Sequence, residues 1–379
     1  MTETLCDGFA GFGLSGLDPH SAGSEEDKEP AVPGLDSVDT DKQLSAELGK
    51  LIRVVSDIKH HALLHNRYGH GGYFNILNSH PVATGSFFQV RKLDGVESSQ
   101  PMVAKYPKLQ ITPTGYGITQ SSLQSIRLEI EALCHEPLRK HSNIVKILGM
   151  GWGRLSSVHN HFFPALFLEF ATHGNLEQYL SDNRIAPAAR MRLAMEVGEG
   201  LNALHESGIV HGDLKLENVL VFDGGDGTVI SKLADFGSTV QLLEDEYRFR
   251  GGTRPWNAPE WQQAVEPIRQ HLLDIYSFGL LTWRICLEGE TPFPGLTLDE
   301  IDIRKAQGMT INDAIKSVTE YYDFYNSTVP DISEMEQFEL YMVSVICPIN
   351  VFRNTLIVES SRRNLAEALE GLNPKNSYG

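Results

Sequence analysis

Three short segments, HGDLKLENVLVF at 211–222, KLADFG at 232–237 and PWNAPEW at 255–261, follow one another in a chain of 379 residues. Together they carry a carboxylate and an ammonium two positions apart (Asp213, Lys215), an amide (Asn218), a carboxylate before Phe-Gly (Asp235) and another after Ala-Pro (Glu260). Each alone has an ordinary explanation: Asp-Phe-Gly makes a turn, a single lysine is solvated, and an aspartate before a leucine caps a helix. In this order they limit the chain far more than its composition does. Phosphoryl transfer needs a carboxylate near the acceptor hydroxyl, oxygen ligands for magnesium, and cations for the phosphates, and these segments supply that set.

The flanking pattern indicates an α+β fold. Residues 73–107 alternate like a small antiparallel sheet, with FFQVRKL and MVAKY on either side of a hairpin signal at Asp94-Gly95. Leu123, Ile126, Ile130 and Leu133 mark a helix, and NIVKILGMGW and PALFLEF read as further strands. MRLAMEVGEGLNALHESG then opens a helix-rich second half, in which DIYSFGLLTWRICLEG reads as a buried helix.

Residues 1–42 are acidic and poor in large apolar side chains, and read as a disordered tail. Gly11, Gly13 and Gly16 spell G-x-G-x-x-G there, with no strand before and no helix after, so the match is chance. Residues 43–72 form a helical extension in which Leu44, Leu48, Leu51, Val55 and Ile58 make one apolar face. His60, His61, His65 and His70 lack a cysteine or carboxylate partner motif and read as solvated rather than metal-binding.

Composition removes several function classes. A net charge of −17 opposes sequence-independent nucleic-acid binding. No run approaches the roughly 18 apolar residues of a membrane span, and the first residues lack a secretory signal pattern. An intracellular protein is expected, cytoplasmic by default with the nucleus left open, and no membrane partner. Cys6, Cys134, Cys286 and Cys347 form no C-x-x-C pair and read as reduced structural thiols.

Over roughly residues 75–372 the sequence resembles the eukaryotic protein kinase family, on the strength of the three segments above. The resemblance implies two lobes within 73–379: an antiparallel-sheet N-lobe at 73–170 and a larger, mainly helical C-lobe at 171–379. It implies ATP and Mg2+ as cofactors and a protein as substrate. Asp213 falls on the catalytic aspartate, Lys215 on the γ-phosphate lysine, and Asn218 and Asp235 on the magnesium ligands. Lys105 looks like the strand lysine that grips the α- and β-phosphates. Glu129 looks like its helix partner, with Glu131 the competitor. Gly85, Val90 and Ala104 fall on nucleotide-binding positions. Glu169 and Ala171 fall where backbone groups bind adenine, with Leu168 behind. Thr253 takes the position that contacts the catalytic aspartate and lysine. Glu260 would pair with Arg362 or Arg363, and Asp274 would anchor the catalytic loop. Lys215 after Asp-Leu is the serine/threonine form, and HGDLK with GTRPWNAPE is similar to kinases of filamentous fungi.

The sequence departs from the family at two places. Gly212 stands where regulated kinases carry an arginine that pairs with a loop phosphate, so a phosphate on Ser238, Thr239 or Tyr247 lacks that partner, and Glu244, Asp245 and Glu246 supply negative charge beside it. The phosphate-covering loop has Ala83, Gly85 and Phe88 for three glycines, which predicts weaker ATP binding or a loop held by Phe87 or Phe88. HGDL also resembles aminoglycoside and choline kinases, which act on small hydroxyl compounds, and the poor glycine loop would suit a pseudokinase that acts as an interaction module.

Overall fold

The computed structural model describes residues 37–59, 73–75, 79–85, 88–93, 101–112, 115–154, 162–241, 252–261, 263, 266, 269–328 and 333–373. The first 36 residues, the histidine run, Phe87, the Asp94-Gly95 pair, Glu244–Glu246 and Tyr247 lie outside them. The chain divides into two compact units, one taking the residues up to Arg127 with 147–170, the other 128–146 with everything from Ala171 on.

The first unit is a six-stranded sheet in the order β1-β7-β8-β4-β3-β2. Its strands are β1 (Tyr73–Asn75), β2 (Ser79–Thr84), β3 (Phe88–Leu93), β4 (Met102–Pro107), β7 (Ile147–Arg154) and β8 (Phe162–Glu169), with β5 (Gln110–Thr112) and β6 (Gly115–Gly117) forming a separate hairpin. All pairings are antiparallel except one: β1 runs parallel to β7, from Tyr73↔Trp152 to Asn75↔Arg154. The expectation of an antiparallel sheet is corrected at this edge, where a three-residue strand gives no periodicity to read. Helix α1 (Ser37–Lys59) buries Leu51 and Glu47, and Glu47 meets Arg127 at 3.5 Å. Residues 37–42, expected in the tail, are thus helical.

Helix α2 (Gln120–Cys134) starts in the first unit and ends in the second. Residues 128–146 group with the second unit because Asn143 and Val145 are tied to one of its strands. Asn143 Nδ2 donates to Ser231 O at 3.0 Å and Val145 N to Leu233 O at 2.9 Å. The rest is mainly helix: α3 (Glu136–Arg139), α4 (Leu176–Asp182), α5 (Pro187–Glu206), α6 (His271–Cys286), α7 (Leu298–Ala306), α8 (Thr310–Thr328), α9 (Glu334–Tyr341), α10 (Cys347–Thr355) and α11 (Leu365–Leu372). One π-helical stretch, Met342–Ile346, joins α9 to α10. Mostly apolar α6 buries nearly every residue, as its strongly hydrophobic sequence predicts. Short paired strands, β9 (Ile209–Val210) with β12 (Val240–Gln241) and β10 (Val219–Gly225) with β11 (Thr228–Leu233), hold the loops that follow them. Among the described residues no helix is long and apolar enough to cross a membrane. Cys286 and Cys347 are buried thiols that form no disulfide; burial pushes Cys286 up to about 12, which leaves it protonated and inert.

Candidate active site

The loop between β9 and β10 gathers four of the expected residues. Lys215 Nζ donates to Asp213 Oδ2 at 2.6 Å and to Thr253 Oγ1 at 2.9 Å, while Thr253 Oγ1 donates to Asp213 Oδ1 at 2.7 Å. Asn218 closes the 3-10 turn Leu216–Asn218 and donates from Nδ2 to Asp213 O at 2.8 Å and to Oδ2 at 3.3 Å. Both carboxylate oxygens of Asp213 therefore have fixed donors. Behind Asp213 and Thr253 lies a cavity of about 10 Å³, also lined by Asn257, Asp274 and Ser277. It has room for one water, which would serve the buried Asn257 amide, whose two side-chain polar atoms have no protein partner.

The loop hangs on Asp274, in the first turn of α6. Asp274 accepts from His211 N at 2.7 Å, Gly212 N at 3.0 Å and His205 Nε2 at 3.0 Å. Burial alone would raise its pKa; the bond and charge of His205 and the Gly212 N–H outweigh it and hold the carboxyl below its ordinary value. His211 accepts from Asp213 N at its Nδ1 (3.3 Å), which leaves Nε2–H to donate to Ala234 O (3.2 Å). That assigns the ring one neutral tautomer.

Gly212 has φ +81°, and a Cβ there would lie 2.5 Å from Ser238 O. Its place is set by backbone geometry as well as by the missing arginine: any side chain would meet both a left-handed conformation and a main-chain oxygen. Asp235 is likewise left-handed, at φ 62° and ψ 68°, followed by fully buried Phe236, whose ring lies 5.4 Å from that of His211. A non-glycine residue held in this region stores strain of the kind found at functional sites. Thr239, named above as a phosphorylation candidate, is buried, and its hydroxyl donates to Phe236 O at 2.9 Å.

Glu260 stands apart from this cluster and pairs with Arg363, not with exposed Arg362. The fork is bidentate, at 2.5 and 3.0 Å, and Arg363 also donates to the carbonyls of Ile357, Leu272 and Val358. Three supporting residues have no sequence signal. His205 sits on a helix face like any other histidine. Arg254 pairs with Asp299 at 2.6 Å and Asp302 at 2.9 Å. Fully buried Lys305 donates to Pro255 O and, at 2.7 Å, to Asn257 O; burial lowers its pKa to about 7. In DEIDIRKA that lysine looks solvated; only the tertiary fold buries it.

In the sheet unit, Lys105 of β4 is buried, with Val90 beside it on β3 and Leu166 on β8. Its Nζ lies 5.0 Å from the centre of the Phe88 ring, so the phenylalanine in place of a glycine covers the lysine. Ala104 requires a correction. It is fully buried in a cluster with Tyr106, Phe163, Ala165 and Phe167, and strand alternation puts its side chain on the face opposite Lys105. Val103, paired with Leu168, shares the lysine's face. Gly85 follows β2, and its N–H donates to Phe88 O at 2.9 Å; a Cβ there would lie 3.8 Å from that oxygen. Helix α2 buries Glu129 completely and leaves Glu131 partly exposed. Glu169 is buried at the end of β8, and Ala171, which opens the second unit, is half-buried.

A magnesium ion fits the donors present. Asn218 commits Nδ2 to Asp213 and keeps Oδ1 as its acceptor, and Asp235 adds a hard carboxylate. Among the described residues no three His, Cys, Asp or Glu side chains form a cage. Magnesium needs none, since it binds through one or two carboxylates with water and phosphate oxygens.

Residues 78–354 match the protein kinase domain family. The serine/threonine-protein kinase mos of Patiria pectinifera is 32% identical over 46% of this chain and 48% of its own length. A fibroblast growth factor receptor of Hydra vulgaris is 27% identical over 54% of this chain and 25% of its own length. Fer-related kinase 1 of Caenorhabditis elegans is 29% identical over 42% of this chain and 37% of its own length. The chain thus spans between a quarter and about half of these relatives.

Proposed function

The chain belongs to the protein kinase domain family, and on that footing we propose that it transfers the γ-phosphoryl group of ATP to serine or threonine hydroxyls of proteins. The observation that carries this reading is the closed triangle of Asp213, Lys215 and Thr253, with Asn218 fixing the aspartate from the other side. Phosphoryl transfer asks a protein chiefly for positioning and charge, and a carboxylate held at both oxygens cannot swing away from an acceptor hydroxyl.

Asp213 orients that hydroxyl and takes its proton, and Lys215 brings its ammonium to the charge gathering on the transferred group. Asn218 and Asp235 would hold magnesium, which when bound neutralises phosphate oxygens. Lys105 is assigned to the α- and β-phosphates with Glu129 as its partner, and the backbone of Glu169 and Ala171 to adenine; Gly85 and Val90 remain with the nucleotide. Val103 replaces Ala104 in that set. What supports the serine/threonine class is Lys215 two positions after Asp213, the form that the family resemblance associates with that class.

The test is an ATP/Mg2+ assay with generic protein substrates and a panel of small hydroxyl compounds, comparing wild type with Asp213→Ala and Asp235→Ala. Phosphoserine or phosphothreonine formed by wild type alone is the expected result. Transfer only to a small molecule, or only to tyrosine, would overturn the substrate assignment. Nucleotide binding without any transfer would count against catalysis.

A further inference from the structure

Helix α9 opens with a capping box: Ser333 Oγ accepts from Glu336 N at 3.3 Å, and Glu336 Oε2 accepts from Ser333 N at 2.9 Å. The helical run then continues through the π-helical stretch into α10. Met335, Phe338, Met342 and Val345 recur at spacings of three, four and three, and so lie along one stripe. At its far end this stripe faces the core, with Met342 6% and Val345 1% exposed. At its near end the same stripe is open: Met335 is 74% and Phe338 52% exposed, and no residue of Glu334–Tyr341 is buried. Tyr341 joins this end to α8 through an edge contact with Tyr322, ring centres 5.3 Å apart.

Along the chain the charge of this stretch has one sign. Between Lys316 and Arg353 the chain carries Glu320, Asp323, Asp331, Glu334, Glu336 and Glu339, and no lysine, arginine or histidine. A core-type stripe that runs on into solvent inside an acidic rim is built to be covered, and what covers it must bring positive charge. A second copy of this face would oppose like charges, and the acidic first 42 residues would do the same. We propose that α9, with the adjoining end of α8, is a docking surface for a basic amphipathic helix of a partner protein. Its apolar side chains would extend the Met342–Val345 packing over Met335 and Phe338, and its lysines or arginines would face Glu334 and Glu339.

The test uses the full chain and a fluorescent synthetic helix with leucine on one face and lysine on the other, read by anisotropy. Saturable binding that weakens as salt rises is expected, together with none for the same peptide carrying glutamate for lysine. Met335→Ser with Phe338→Ser should weaken binding about tenfold or more, the loss expected when two large apolar contacts are removed. Glu334→Lys with Glu339→Lys should weaken it as well. All four positions are exposed, so the circular dichroism and phosphotransfer of both variants should match wild type. The proposal is overturned if the peptide does not bind, if either double variant binds it as wild type does, or if sedimentation shows a wild-type dimer that the Met335→Ser, Phe338→Ser variant breaks.

Discussion

The loop at 211–218 and the hairpin around Gly85 are held in opposite ways. In the first, one carboxylate, Asp274, fixes two successive backbone N–H groups; Gly212 has no room for a Cβ; and Asp213 is held through both oxygens. In the second, a bulge interrupts the β2–β3 register between Pro81 and Ala83, most of β2 is exposed, and one bond from Gly85 N to Phe88 O closes the turn. The loop keeps the family's residues except at Gly212, whose glycine its geometry demands, whereas the hairpin has lost two of three glycines. At Gly212 a side chain would meet a main-chain oxygen at 2.5 Å, whereas at Gly85 a Cβ would meet only an ordinary contact at 3.8 Å.

Substitutions at three positions would break or sharpen that contrast. Asp274→Ala should do the most damage, about 3 kcal/mol or more, because it leaves two buried N–H groups without an acceptor. Urea unfolding would measure it, and transfer activity should fall with it. The pH dependence has a definite sign: the folded state holds the Asp274 carboxyl below its ordinary value, so its stabilisation is present above the ordinary carboxylate range and is lost as pH falls through the lowered pKa. Asp274→Asn should lack that acid-side increment. Gly212→Ala comes next, at about 1–3 kcal/mol, from the left-handed backbone and the approach to Ser238 O. Gly85→Ala should cost the least, within about 0.5 kcal/mol, since the added methyl meets only an ordinary contact. A Gly85→Ala cost equal to that of Gly212→Ala in the same unfolding assay would remove the contrast altogether.

How much the sequence disclosed follows the same division. The Asp213, Lys215, Asn218 and Thr253 set is legible because side-chain chemistry at fixed spacing leaves few alternatives. Asp274 is named by the family resemblance alone, and the fold supplies the three donors that hold it. Glu260 had two candidate partners, and only the fold selected Arg363, because adjacent arginines differ in burial and not in composition. Ala104 was misplaced by one position, and in a strand one position reverses the face. The parallel β1 edge, the π-helical stretch and buried Lys305 left no trace in periodicity, since each depends on contacts from distant parts of the chain.

The Glu260–Arg363 fork joins residues 103 positions apart, and Arg363 lies beyond the 78–354 span matched to the family. During synthesis Glu260 leaves the ribosome long before its guanidinium partner exists, so the segment it anchors locks only once the chain has passed Arg363. A fragment cut at residue 354 would fold around a largely buried carboxylate with no countercharge. A fragment ending at residue 354, where the family match stops, should therefore unfold at lower urea than the full chain.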